Sequence, residues 1–152
     1  MGAEIGQPEE WSEKGEVPWH LLNDEAHKGV AQMFAALNHL YGKTPALWER
    51  DFDPAGFVWI DCEDAERAVL SYRRKGFASE VICVHNFSAH HYPRYVVQYG
   101  AESVDEIFNS DACEYGGSGR LNGQTEIIRN HEGSPIAFVI DLPPLTTCIF
   151  TL

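Results

Sequence analysis

The sequence predicts a mainly β protein, an antiparallel β-sandwich preceded by a long helix. After residue 56, bulky and β-branched residues alternate with polar ones at the period of two that suits a pleated sheet. Gly, Pro, Asn and Asp separate these runs, as expected for short strands joined by turns. Eight strands are predicted, near residues 57–61, 67–74, 80–87, 94–99, 104–108, 124–129, 136–141 and 146–151.

Residues 1–22 precede the first periodic segment. MGAEIGQ is a short run of apolar residues and glycines with no partner strand nearby, and EEWSEKGEVPWH has the composition of a loop. Such a start is awkward for an independent domain, so we expect that further chain precedes it.

A helix follows, predicted over 27–41. Asn23 and Asp24 are suitable N-caps, and Gly42 is expected to close the helix. Apolar residues recur at the i, i+3, i+4, i+7 spacing of an amphipathic helix. They are Val30, Met33, Phe34, Leu37, Leu40 and Tyr41. We expect Val30, Met33, Phe34, Leu37 and Leu40 to be buried against the sandwich or against a neighbouring domain.

The first two strands form the clearest unit. Pro54 to Gly56 makes a turn, Phe57 to Ile60 supplies the first strand, and the polar run 61–66 turns the chain back. The acidic residues of this stretch are read as caps and solvated turn residues. They are Asp51, Asp53, Asp61, Glu63 and Asp64.

Composition excludes several classes of partner. With 44% hydrophobic residues, the chain has enough apolar material for a core. The formal charge of -12 opposes binding to nucleic acid or to anionic lipid surfaces. No run approaches the roughly 20 apolar residues of a membrane span, and the acidic start is unlike a signal peptide. We therefore predict a cytoplasmic protein whose four cysteines are reduced and buried.

Six segments, in this order, resemble the C-terminal part of the 1,4-α-glucan (glycogen) branching enzymes, which are glycoside hydrolase family thirteen members of the α-amylase superfamily. The segments are MGAEIGQ, LNHLY, DFDPAGFVWIDCEDAERAVLSYRRKG, NFS, NSDACEYGGSG and LPPL. Each motif is weak alone, but their order is specific. Ala3 and Ala89 stand where the family usually has glycine and proline, which affects local loop details.

The resemblance implies two parts. Residues 1–50 would be the remnant of a catalytic (β/α)8 barrel, with 1–7 the edge of strand eight and 27–41 the last helix, and residues 51–152 would be the all-β C-terminal domain. The catalytic acids of the family lie on strands four, five and seven, which would come before Met1. The chain would then be a non-catalytic fragment that packs on the barrel, with no cofactor or metal and with α-glucan (glycogen or maltooligosaccharide) as the partner of the parent.

The same resemblance places the loop after strand eight beside the active site, since barrel loops at that end carry the chemistry. Aromatic faces stack on sugars, and amides and carboxylates orient them. The residues expected near glucan are Glu4, Gln7, Trp11 and Trp19. Trp48 and Trp59 lie in apolar contexts, where packing in the core or between domains is the better interpretation.

Other motifs indicate little chemistry. The Asp51 to Gly56 loop begins like a calcium loop but has Cys62 in place of the bidentate Glu. His85, His90 and His91 lack a carboxylate or cysteine that would complete a metal signature, so they are read as structural or solvent-facing. Ser118 is read as part of a flexible surface turn.

Three alternatives stay open. They are a free-standing carbohydrate-binding module, a small metal-dependent enzyme of double-sheet type, and the C-terminal domain of a related amylase or debranching enzyme.

Overall fold

Eight antiparallel strands and one long helix make up most of the computed structural model, which describes residues 2–152. The helix α1 spans Glu25–Lys43. The strands are β1 (Phe57–Asp61), β2 (Val69–Lys75), β3 (Glu80–Asn86), β4 (Tyr92–Val97), β5 (Asp105–Asn109), β6 (Glu126–Arg129), β7 (Pro135–Leu142) and β8 (Thr147–Thr151). All eight predicted strands are confirmed, each within two residues of its expected bounds.

The strands form two sheets that pack face to face. One sheet has the order β1-β2-β3-β8-β5 and the other has the order β4-β7-β6. The core between them takes side chains from both sheets, and we call it the inter-sheet core. Its members are Val69, Ile82, Val84, Tyr95, Val97, Val104, Phe138, Ile140, Leu142, Cys148 and Phe150. The predicted β-sandwich is therefore confirmed.

A second apolar cluster lies on the other face of the five-stranded sheet, under α1. Val81 and Cys83 of β3 alternate with Ile82 and Val84, so they point away from the inter-sheet core. Met33, Ala36, Leu37 and Leu40 of α1 pack against this cluster. The helix thus forms a third layer.

Gly29 fixes how closely α1 approaches the turn at residues 113–115. A Cβ atom added to Gly29 would lie 2.7 Å from the carbonyl oxygen of Tyr115. Real Cβ atoms do not approach backbone so closely, so any larger residue would displace the helix from this turn.

The helix differs from its prediction at two points. Asp24 is the N-cap, and its carboxylate accepts from Ala26 N at 2.9 Å, but Gly42 lies inside the helix and does not close it. The helix ends at Lys43 because Thr44 precedes Pro45 and adopts the extended conformation that proline imposes on its neighbour. The predicted burial of Phe34 is wrong, since it is 38% exposed while Ala36 takes its place in the contact.

Residues 2–7 pair with no strand. Ala3–Ile5 forms a short 3-10 helix, and Trp19–Asn23 forms another. Met1, the first residue of the expected strand edge, lies outside the described residues. The assignment of 1–50 to a barrel stays a prediction.

Burial of the cysteines was predicted correctly for only half of them. Cys83 and Cys148 are buried in strands, and burial raises the pKa of the Cys83 thiol to about 11. Cys62 and Cys113 are exposed, because Cys62 lies just beyond the end of β1 and Cys113 lies in a surface turn.

Two tryptophans were expected to pack in a core or between domains. Trp48 and Trp59 are instead exposed on this chain, Trp59 by 50%. Neither contributes to the two apolar clusters. The core interpretation is wrong, and packing between domains stays a prediction.

No helix within residues 2–152 combines the length and the apolar character needed to cross a membrane.

Candidate functional site

A cavity of about 270 Å³ lies in the segment of residues 2–18, which we call the N-terminal loop. It is lined by Gln7, Glu9, Glu10, Trp11, Ser12, Gly15, Glu16 and Pro18. Trp11 is 58% exposed, so its indole face is open to a ligand. An aromatic face beside amide and carboxylate oxygens is the arrangement that binds neutral polyhydroxylated molecules such as sugars.

Local hydrogen bonds hold the base of the N-terminal loop. Ile5 N and Gln7 N both donate to the Gly2 carbonyl oxygen, at 3.2 and 3.0 Å. Gly2 has a φ of +90°, which lets its carbonyl face back into the turn. The Gln7 side-chain amide donates to the Glu9 carbonyl oxygen at 3.0 Å, and this bond connects two residues that line the cavity.

The cavity includes two of the four residues expected near glucan. Gln7 and Trp11 line it. Glu4 is exposed but lies outside the lining, and Trp19 is exposed at the start of its own 3-10 helix. Glu9, Glu10 and Glu16 were not singled out, although the acidic run around Trp11 was the available signal.

A row of aromatic side chains crosses β1, β2 and β3 on the sheet face that α1 covers in part. Phe57 contacts Trp59 edge-on, with ring centroids 4.8 Å apart, and lies 5.0 Å from Tyr72. Tyr72 stacks on His85 at 5.3 Å, and His85 stacks on Phe87 at 6.0 Å. Burial raises the pKa of Tyr72 and lowers the pKa of His85, so both side chains are neutral at pH 7.

The three histidines have separate partners. His85 Nδ1 bonds with Thr147 Oγ1 at 2.9 Å, His91 pairs with Asp141, and the His90 ring lies 4.9 Å from that of Tyr92. No group of three or more His, Cys, Asp or Glu side chains in the described part of the chain is arranged to hold a metal ion.

The acidic turn residues are mostly caps, as predicted. Asp53 accepts from Ala55 N and Asp61 accepts from Glu63 N, both at 2.9 Å. Two of them depart from this pattern. Asp51 pairs with Arg74 of β2, and the side chain of Asp64 is buried rather than solvated.

Asp64 is held by two partners. Arg67 Nε lies 2.7 Å from its carboxylate, and Tyr95 Oη donates to it at 3.1 Å. Burial opposes ionisation, but the hydrogen bonds from Arg67 and Tyr95 outweigh it and hold the pKa of Asp64 below its usual value. This carboxylate is therefore an ionised structural group that joins the 61–68 turn to the smaller sheet.

Comparison with known proteins assigns the β part of the chain. The sequence model of the family described as "Alpha amylase, C-terminal all-beta domain" matches residues 59–152, which include most of β1 and all the other strands. This chain belongs to that family. The N-terminal loop and α1 lie before the matched alpha-amylase C-terminal domain.

Curated relatives extend the similarity over the whole chain. A protein of Protochlamydia amoebophila (strain UWE25) named "1,4-alpha-glucan branching enzyme GlgB" is 44% identical, over 100% of this chain and 21% of its own length. A protein of the same name from Prochlorococcus marinus (strain AS9601) is 43% identical, over 99% of this chain and 21% of its own length. The chain thus spans about a fifth of the length of these relatives. Among solved structures, an alpha-amylase from H. orenii aligns with a TM-score of 0.49 and 15% identity, over 80% of this chain and 20% of that chain.

Two of the segments named in the sequence analysis, NFS and LPPL, meet at Asn86. Its side-chain amide donates to the carbonyl oxygens of His90 and Pro143, at 2.8 and 2.7 Å. Its oxygen accepts from the backbone N–H and the hydroxyl of Ser88, at 2.9 and 2.8 Å. The NFS and LPPL segments are therefore joined by one buried amide.

A third motif is organised by Asp111. Its carboxylate accepts from Ser118 Oγ at 2.6 Å and from Ser118 N and Arg120 N at 3.0 Å each. Burial opposes ionisation, but the bonds from Ser118 and Arg120 outweigh it and hold the pKa of Asp111 below its usual value. Ser118 thus lies in a surface turn, as predicted, and this turn is fixed by hydrogen bonds.

Proposed function

We propose that this chain is the non-catalytic C-terminal part of a cytoplasmic 1,4-α-glucan branching enzyme. In this proposal the parent cleaves an α-1,4-glucan chain and transfers it to form an α-1,6 branch in glycogen biosynthesis. The observation that carries it is the 44% identity with a named branching enzyme over the full length of this chain. That similarity includes the N-terminal loop and α1, which the family match to residues 59–152 leaves out.

The proposal divides the chain into residues 1–50, the end of a catalytic barrel, and residues 51–152, the all-β domain. Phe34 and Tyr41 support it, because they leave an exposed aromatic surface on α1 that a preceding barrel would cover. Trp48 and Trp59 are exposed as well and suit the same kind of contact.

The carboxylates of the chain also support a non-catalytic role. Retaining glycoside hydrolysis needs two carboxyl groups about 5 Å apart on a rigid scaffold. Asp64, Glu80 and Asp111 are each engaged in structural hydrogen bonds or ion pairs. These bonds leave them unsuited to act as nucleophile or general acid.

A chimera tests the proposal. We would replace the matched fifth of the Protochlamydia amoebophila relative with this chain and follow branching of amylose by the loss of iodine colour and by counting α-1,6 linkages. We expect branching in the chimera and none in the isolated chain. Hydrolysis without new α-1,6 linkages would favour an amylase or debranching parent, and turnover by the isolated chain that depends on one of its own carboxylates would contradict the non-catalytic role.

The cavity beside Trp11 supports a second function, weak α-glucan binding by this chain itself. In the intact enzyme, Glu4, Gln7, Trp11 and Trp19 would then lie near the glucan. One open aromatic face without a deep pocket gives modest affinity, and we expect dissociation constants of about 1 mM or weaker for maltoheptaose. Binding without a preceding barrel is also what a carbohydrate-binding module would show.

Trp11→Ala should weaken maltoheptaose binding about tenfold, because losing one stacking contact costs about 1.4 kcal/mol. Amide chemical shifts of the ¹⁵N-labelled chain would measure this. Phe52→Ala is the control, since Phe52 is a fully exposed aromatic outside the cavity. Shift changes confined to His85, His90 and His91 and lost on adding a chelator would favour the metal-dependent enzyme instead.

A further inference from the structure

We propose that His27 of α1 is a positioning residue that fixes the base of the N-terminal loop and so holds the cavity beside Trp11 in its binding geometry. This inference rests on the proposed glucan contact of that loop. His27 does not line the cavity, so it would act through the loop backbone.

The contact is a single hydrogen bond across a long sequence separation. His27 Nδ1 lies 2.7 Å from the carbonyl oxygen of Ile5, which is 22 residues away. A carbonyl oxygen only accepts, so Nδ1 must carry the proton and donate. Ile5 is 2% exposed and is the one buried residue of the short 3-10 helix, so the bond holds the backbone at the point where that helix packs.

Gly6 allows the turn to approach the imidazole ring. Its φ is +66°, and a Cβ atom added to it would lie 3.3 Å from His27 Nδ1. A left-handed glycine against the ring is what a tight contact at this point requires. The sequence places a glycine and a histidine where the loop and the helix meet.

Further hydrogen bonds connect the Ile5 turn with the cavity wall. Ile5 N and Gln7 N share the Gly2 carbonyl oxygen, and the Gln7 amide reaches Glu9. Gln7 and Glu9 both line the cavity, and Trp11 follows two residues later. The hydrogen bonds therefore lead from α1 to Glu9 in the cavity wall, two residues before Trp11.

This anchoring matters because the loop belongs to neither sheet. Ala3–Ile5 of this loop contacts α1, and the 3-10 helix Trp19–Asn23 that follows the loop contacts α1 as well. A loop that is ordered before binding loses less conformational freedom when the ligand arrives. Releasing the anchor would let the cavity wall sample open conformations and would weaken binding.

The test compares His27→Leu with His27→Asn. Leucine removes the donor, whereas the asparagine amide nitrogen takes a position close to that of Nδ1 and can still donate. If the hydrogen bond matters, His27→Asn should bind more tightly than His27→Leu. Leucine favours helix more than asparagine does, so if His27 only stabilised the helix, His27→Leu would be the better binder. Lys28→Ala is the control on the exposed side of the same turn.

Two measurements are made on each variant. Hydrogen exchange of the Ile5, Gly6 and Gln7 amides reports the anchor, and maltoheptaose titration reports the cavity. In His27→Leu we expect at least tenfold faster exchange at these amides, unchanged exchange in β3 and β8, and several-fold weaker binding. His27→Asn should recover both properties in large part, and Lys28→Ala should match the wild type.

The outcomes separate this inference from the proposed function. Wild-type exchange rates in His27→Leu would overturn the inference, as would faster exchange with unchanged affinity. If the wild-type chain binds no maltoheptaose at millimolar concentration, glucan contact by the isolated loop fails. The exchange data then still decide whether His27 anchors the loop.

Discussion

Replacing Phe150 with alanine should lower the free energy of unfolding by about 3–5 kcal/mol, the range typical of a large aromatic removed from a packed core. Phe150 is fully buried in β8, the strand that lies between β3 and β5. Its ring meets that of Phe138 of β7 across the two sheets, edge to face, with centroids 5.7 Å apart. The substitution would therefore open a cavity in the inter-sheet core and remove a contact that joins both sheets. Urea unfolding followed by circular dichroism would measure the loss.

Phe52→Ala is the matched control, because the same side chain is removed from a fully exposed position. We expect a change below about 0.5 kcal/mol there. Equal effects at Phe52 and Phe150 would show that the two sheets are not packed as described. The loss of unfolding free energy in Phe34→Ala should lie between those of Phe52→Ala and Phe150→Ala, since Phe34 is 38% exposed.

The strands were predictable because antiparallel strands with one face in a core alternate their side chains. In β3, Ile82 and Val84 face the inter-sheet core while Val81 and Cys83 face α1. Turn residues between the strands then set the boundaries. These are local signals, and local signals are what a single sequence carries.

The covered face of α1 was not predictable to the same degree. The apolar face of α1 is wider than the part of it that contacts the five-stranded sheet. The sequence alone therefore does not tell whether Phe34 or Ala36 faces the sheet. The helix is also constrained by a contact that is distant in the chain, since the backbone at Gly29 lies against Tyr115, a residue 86 positions away. Contacts between residues so far apart in the chain produce no periodic pattern in the sequence.

The candidate site was predictable in part for the same reason. Trp11 in an acidic loop is a local feature, and the structure places it in a cavity. The link from His27 to Ile5 and the link from Asn86 to Pro143 join positions 22 and 57 residues apart. A hydrogen bond between a side chain and a distant carbonyl oxygen cannot be inferred from residue types.

Asn86→Ala should cost about 2–4 kcal/mol of unfolding free energy, although it removes no large apolar group. Asn86 is 2% exposed and satisfies the carbonyl oxygens of His90 and Pro143 together with the N–H and hydroxyl of Ser88. Alanine would leave these groups without their partner, and each unsatisfied buried polar group costs about 1–3 kcal/mol unless it relaxes toward water. Urea unfolding measures the loss, with Asn38→Ala on the exposed surface of α1 as the control.

Asn86→Asp separates the role of the donor from that of the acceptor. The introduced carboxylate keeps oxygens that can accept from Ser88, but it places negative charge against two carbonyl oxygens that need a donor. Burial beside these oxygens should raise the pKa of the new group in the folded state above its unfolded value. The charge penalty should then be present at pH 7 and decrease as the pH falls through the folded pKa, where the protonated group regains one donor. Asn86→Asp should therefore be less stable than Asn86→Ala at pH 7 and should approach it or exceed it near pH 5. Equal stability of the two variants across this range would contradict the assigned contacts.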